Sequence, residues 1–150
     1  MIVVVHVLYQ NLNKMKILTA LEIIDETAEY YKADTSRRGK KEKSGCTYYT
    51  IKGDHIIMCA VGRCMTEKYR EVYMDNGDAA DTIKPVIDSE YPADTHGGID
   101  FALQPQYHGQ IINFWMDLQD FHDTDSNWDD NGLTISGNFK LGFLKEKYKN

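Results

Sequence analysis

The chain has 150 residues, 17 lysines and arginines against 23 aspartates and glutamates, a formal charge of −6 and 42% hydrophobic residues. One globular core is expected at this size, and 27% charged residues exclude disordered, collagen-like and coiled-coil chains. No apolar run approaches the roughly 18–20 residues that span a bilayer, and three cysteines, an odd number, fit a reducing compartment.

The longest apolar run, 1–9, is broken by His6 and lacks the basic flank and cleavage site of a signal peptide. A cytoplasmic protein without a membrane anchor is therefore expected. The β-branched opening predicts a buried strand over 2–9; in an alternative reading Met15 is the natural start and 1–14 an extension. Ile17, Leu21, Ile24, Ala28 and Tyr31 then recur at spacings of four and three, predicting an amphipathic helix over Lys16 to Lys32. Residues 33–44 hold Arg37, Arg38, Lys40, Lys41 and Lys43 around Gly39 with no large apolar side chain, and read as an exposed basic loop.

Two β-rich runs, Cys46 to Ile51 and His55 to Val61, flank Lys52-Gly53-Asp54 and predict a hairpin. Thr66 can cap a helix over Glu67 to Met74, with Asn76-Gly77 as its stop. Residues 79–98 are turn-rich, with one short helix near Pro85 to Ser89. Ile111, Trp115, Leu118 and His122 share a face of a helix over Gly109 to His122, and a polar loop holding Trp128 follows. Phe139, Phe143 and Leu144 suggest a last helix over 136–148, weakened by Gly137 and Gly142. The expected fold is a single α+β domain over 1–150. It has a small antiparallel sheet, hairpin 46–61 with 2–9 as a candidate further strand, packed on two main helices, 16–32 and 109–122, plus short helices.

Charge is uneven. Between Asp75 and Asp130 stand thirteen acids and one base, Lys84, so this segment carries −12 and the remainder +6. An acidic side repels nucleic acid and draws basic protein surfaces. Direct nucleic-acid binding is disfavoured, and the bland alternative is a solvated face. The basic loop could close over phosphate through Arg37, Arg38, Lys40 and Lys41, because guanidinium groups bind phosphate oxygens in pairs.

Cys46, Cys59 and Cys64, with His122 or His55 as a fourth donor, are weak candidates for zinc because the tight paired spacing is missing. Small buried cysteines are the plainer alternative, and a catalytic thiol would need a neighbouring base. Asp123-Thr-Asp125-Ser-Asn127 opens like a calcium loop, but Trp128 stands where glycine belongs and Thr134 where the closing glutamate belongs. His122-Asp123 matches the dyad of metal-dependent phosphohydrolases only in part, with His96 and His108 as further ligands of unknown geometry. No phosphate loop, nucleophile elbow or dinucleotide fingerprint is present. No cofactor is expected.

Gly45-Cys46-x-Tyr48 running into Met58-Cys59-Ala60-Val61-Gly62-Arg63-Cys64 is one distinctive stretch. Leu118-Gln119-x-Phe121-His122-Asp123, followed by Asn127-Trp128 and Asn131-Gly132-Leu133, is another, and Thr35 to Arg38 is a third. Together they resemble small bacteriophage-encoded proteins with no established activity. The resemblance implies an accessory protein made in an infected bacterium, and a cluster of Tyr48, Cys59, Arg63, His122, Asp123 and Trp128. The 1–14 segment has no counterpart in it.

Two functions follow as expectations. The first is a non-enzymatic inhibitor of a host or defence protein, bound through the acidic side. The alternative is a binder of a phosphorylated small molecule, with Arg37, Arg38, Lys40, Lys41 and Arg63 on phosphate and Tyr48 or Trp128 on a base. A metal-dependent hydrolase using His122 and Asp123 is the third. If Arg63 pairs with Asp123, His122 should lie beneath them against Trp128.

Overall fold

The computed structural model describes residues 15–38, 49–70, 92 and 94–150. Strand 2–9, Lys40, Lys41, Cys46, Tyr48, the 71–74 end of the capped helix with its Asn76-Gly77 stop, and the helix near 85–89 lie outside them.

Helix α1 spans Ala20–Ala33 and starts four residues later than its apolar spacing suggests. Thr19 is the reason: its hydroxyl accepts from the Glu22 backbone N–H, while the Glu22 carboxylate accepts from the Thr19 N–H, a reciprocal capping box. The stripe Ile23, Ile24, Thr27, Ala28 and Tyr31 is buried. A one-turn 3-10 segment, Thr35–Arg37, follows.

Strands β1 (Tyr49–Lys52) and β2 (His55–Met58) pair antiparallel, Tyr49 opposite Met58 and Lys52 opposite His55. Gly53, at φ +63°, takes the first turn position, where an L side chain is strained. The second strand ends three residues before the expected Val61. Cys59 is a helix cap, its Sγ accepting from the Gly62 N–H at 3.3 Å, and α2 (Ala60–Cys64) is buried along its whole length. The chain is helical again over 67–70, after Thr66 as expected.

Helix α3 spans Ile112–Asp123 and buries Ile112, Phe114, Trp115, Leu118, Phe121 and His122. A 3-10 turn, Asp125–Asn127, leads into a second ribbon, β3 (Trp128–Asp129) with β4 (Gly132–Leu133). Helix α4 spans Ile135–Lys147, capped by Thr134, whose hydroxyl accepts from the Gly137 N–H at 3.0 Å. Gly137 is where α4 meets the preceding turn: a Cβ there would stand 2.0 Å from the Asn127 carbonyl oxygen.

The fold is thus α+β and helix-dominated. Helices α1, α2 and α3 build the core with Ile99, Ala102, Leu103 and Tyr107. The hairpin is an outlying ribbon with Ile51 and Ile56 about half exposed, held to α1 by the Tyr31 hydroxyl donating to the Met58 carbonyl at 2.6 Å. No described helix is long and apolar enough to cross a membrane.

Candidate binding site

The segment 33–38 does not behave as an open loop. Asp34 caps the 3-10 turn by accepting from the Ser36 N–H (3.0 Å) and hydroxyl (2.6 Å), bonds that hold its carboxyl below the usual range. The turn sends its two arginines in opposite directions. Arg37 folds back, its guanidinium 4.9 Å from the Tyr30 ring centre and Nη1 donating to the Tyr30 carbonyl at 3.3 Å. Arg38 runs inward and is only 8% exposed, correcting the expectation that 33–44 is exposed throughout.

Arg38 Nε and Nη2 both donate to the His122 carbonyl, at 3.1 and 2.5 Å. A cation on the last turn of α3 is where the helix dipole favours one. The guanidinium also lies 5.3 Å from the Trp128 ring centre, and Nη2 is 3.5 Å from Asp125 Oδ1. Trp128 is fixed from below, its Nε1 donating to the Phe121 carbonyl at 3.2 Å, and the Asn127 amide donates to the same oxygen at 2.9 Å. Tyr31 meets His122 edge-on at 4.6 Å and Trp128 at 6.1 Å. His122 Nδ1 lies 2.9 Å from Asp123 Oδ1, which also accepts from the Gln119 amide at 2.7 Å.

Arg38, His122, Asp123 and Trp128 therefore come together, around α3's C-terminus. Arg63 does not join them. Its Nη1 pairs with Glu26 and lies 3.3 Å from the Tyr107 hydroxyl, and Nη2 donates to Thr27 Oγ1 at 2.8 Å. The expected Arg63–Asp123 pair is replaced by this network, because α2 packs its polar residue toward α1, and His122 lies edge-on to Tyr31. Partial burial of Glu26 pushes its carboxyl up, but the bonds from Tyr107 and Arg63 outweigh that and hold it low.

Sequence reasoning missed Glu26, Thr27, Tyr31 and Tyr107. Thr27 carried a signal, a polar residue on the Ile23/Tyr31 stripe, whereas Tyr107 stands in irregular chain and carried none.

Of the three cysteines, Cys59 and Cys64 are described, and each is engaged within its own helix. Cys59 caps α2, and Cys64 Sγ donates to the Ala60 carbonyl at 3.5 Å from a fully buried position that pushes its thiol up to about 12. Among the described residues no group of three His, Cys, Asp or Glu side chains is placed to hold a metal ion. Three carboxylates of the 123–134 loop engage their own chain: Asp123 meets His122 and Gln119, Asp125 meets Arg38, and one oxygen of Asp129, Oδ1, accepts from the Asn131 N–H at 2.7 Å. His96 Nδ1 and His108 Nε2 sit against the Gly109 and Leu103 carbonyls, at 3.1 and 2.9 Å.

Two clefts flank the 3-10 turn. One, of about 370 Å³, lies among Ser36, Arg38, Asp125, Trp128, Asp129 and Asp130. The other, of about 560 Å³, lies among Tyr30, Asp34, Arg37, His55 and Ile57. The first offers carboxylates to a cation, the second an aromatic ring and a guanidinium to a small molecule. Comparison with protein families, with curated proteins and with solved structures finds no match to this chain.

Proposed function

We propose that the protein works by binding rather than by chemistry: a phage-type accessory protein, acting in the host cytoplasm, that blocks a host or defence protein by engaging its basic surface. The observation that carries this reading is the direction of the charges around the 3-10 turn. Arg63 is turned into the fold onto Glu26, and Arg38, which borders the cleft, is engaged by the His122 carbonyl and Asp125, while Asp129 and Asp130 rim that surface cleft beside Trp128. A lysine or arginine entering there meets carboxylates and an aromatic edge, and charge steering raises the encounter rate.

The test is capture from bacterial lysate at low salt and at roughly 0.5 M salt, where screening shortens the reach of charge to a few ångströms. Wild type should retain a partner at low salt and release it at high salt, and the Asp129→Asn, Asp130→Asn double variant should lose it. Capture of nothing at either salt, or of a partner indifferent to both changes, would overturn the proposal.

A second reading, a binder of a phosphorylated small molecule, rests on the other cleft. There Arg37 is backed by Tyr30 and faces His55 across about 560 Å³. A nucleotide at 100 times its Kd would add about 2.7 kcal/mol of stability. Thermal shift across cyclic and linear nucleotides detects that, and silence across the panel removes the reading.

A further inference from the structure

Helix α4 has two unlike sides. Its inner side is held down by Leu144, by Gly137 against the Asn127 carbonyl, and by ion pairs from Lys140 to Asp120 (3.3 Å), Lys147 to Asp117 (2.6 Å) and Lys145 to Asp25. Its outer side carries Ile135, Phe139 and Phe143 at i, i+4 and i+8, which are 80, 69 and 73% exposed. With Gly142 they border a groove of about 550 Å³. Single exposed apolar residues need no explanation, but three large ones on one helical stripe form a contiguous patch of the kind that marks a contact surface.

Gly142 adds a second observation. A glycine inside a helix weakens it, and here nothing in the fold requires one, since a Cβ would meet no atom within 4 Å. The missing side chain is a notch beside two protruding phenyl rings.

We propose that this stripe is the contact between two copies of the chain, packed antiparallel about a two-fold axis. Such an interface needs a patch complementary to itself, and this one carries both knob and hole: Phe139 fits over Gly142 of the partner subunit, and the reverse contact is made by symmetry. That register sets Glu146 opposite Ile135 of the partner subunit, so a carboxylate comes beside the positive end of the partner's helix. Charge also disfavours other occupants. An anionic lipid surface calls for free lysines around the apolar face, and those of α4 are paired with the chain's own aspartates. A basic protein would find only one carboxylate on the stripe, itself paired with Lys149, and two copies of a −6 chain repel each other least on a surface so poor in charge.

The inference does not depend on the function proposed above. Its test is sedimentation equilibrium from about 1 μM to about 1 mM, the range in which a short helix pair associates. The average mass should climb from monomer toward dimer, and Phe139→Glu and Gly142→Leu should each weaken association at least tenfold while leaving the dilute protein's circular dichroism unchanged. Because Gly142→Leu grows into open space, it keeps the monomer folded even if the charged variant does not. Monomer mass over the whole range, or dimers of equal strength in both variants, would overturn the proposal. So would a monomer that instead binds phosphatidylglycerol vesicles through the stripe.

Discussion

Arg63 is the one charged side chain on the fully buried helix α2, and its partners determine what its removal costs. Arg63→Ala leaves Glu26 with the Tyr107 hydroxyl and no cation, and takes from Thr27 Oγ1 the donor it accepts from. Breaking a fully buried pair costs about 3–5 kcal/mol, and because Glu26 is 41% exposed, roughly 2–3 kcal/mol is expected in chemical denaturation. Binding of a captured partner should survive in the folded fraction, since the network lies away from the Trp128 cleft. Glu26 adds a pH dependence. Its folded pKa lies below the ordinary 4.5, so its contribution is present above 4.5 and fades as the pH falls through the folded value. Melting temperature against pH should therefore drop less steeply below 4.5 in Glu26→Gln than in wild type; parallel curves would remove Glu26 from the acid limb. Arg63, His122 and Trp128 stood out in the sequence because a cation among apolar neighbours, a histidine on an apolar stripe and a tryptophan in a polar loop each demand a partner. Which partner depends on which loops lie side by side, and no local pattern records that.

At the level of elements, the apolar periodicity located α1 and α3 to within a few residues, and the turn chemistry of Gly53 located the hairpin. The errors lie at the ends. Thr19-Ala-Leu-Glu22 is a capping box written in the sequence, and attention to it would have started α1 at Ala20. Ile56, Ile57 and Met58 run into Ala60 and Val61 without a break in hydrophobicity, so the switch from strand to helix at Cys59 was hidden. The two glycines of α4 looked alike in the sequence and do opposite things. Gly137→Ala places a methyl group against the Asn127 carbonyl and should destabilise by about 2–3 kcal/mol, as overpacking does. Gly142→Ala should stabilise the dilute monomer by about 0.5–1 kcal/mol through helix propensity alone. Urea denaturation of the pair, at a concentration low enough to hold the monomer, checks both signs together.

At the scale of the molecule, the hydrophobic periods and turn signals foretold an α+β fold, but not that helices would make the core and the ribbon its margin. Hydrophobicity marks what is buried, not what buries it. Cys59 and Cys64 sit inside that core, so in a Cys46→Ser background alkylation should be slow at pH 8 and should accelerate only with denaturant; fast labelling of the native protein would mean that α2 opens on its own. A different consequence attaches to the Arg38 contact with the His122 carbonyl. It joins residues 84 apart in the chain, so closing it awaits the docking of α1 against α3. A contact still open in the folding transition state shows its loss in the rate of unfolding. In stopped-flow chevrons Arg38→Ala should leave the refolding limb in place and raise the unfolding limb. The guanidinium then acts as a latch on the lifetime of the native state, and has little part in how fast that state is reached.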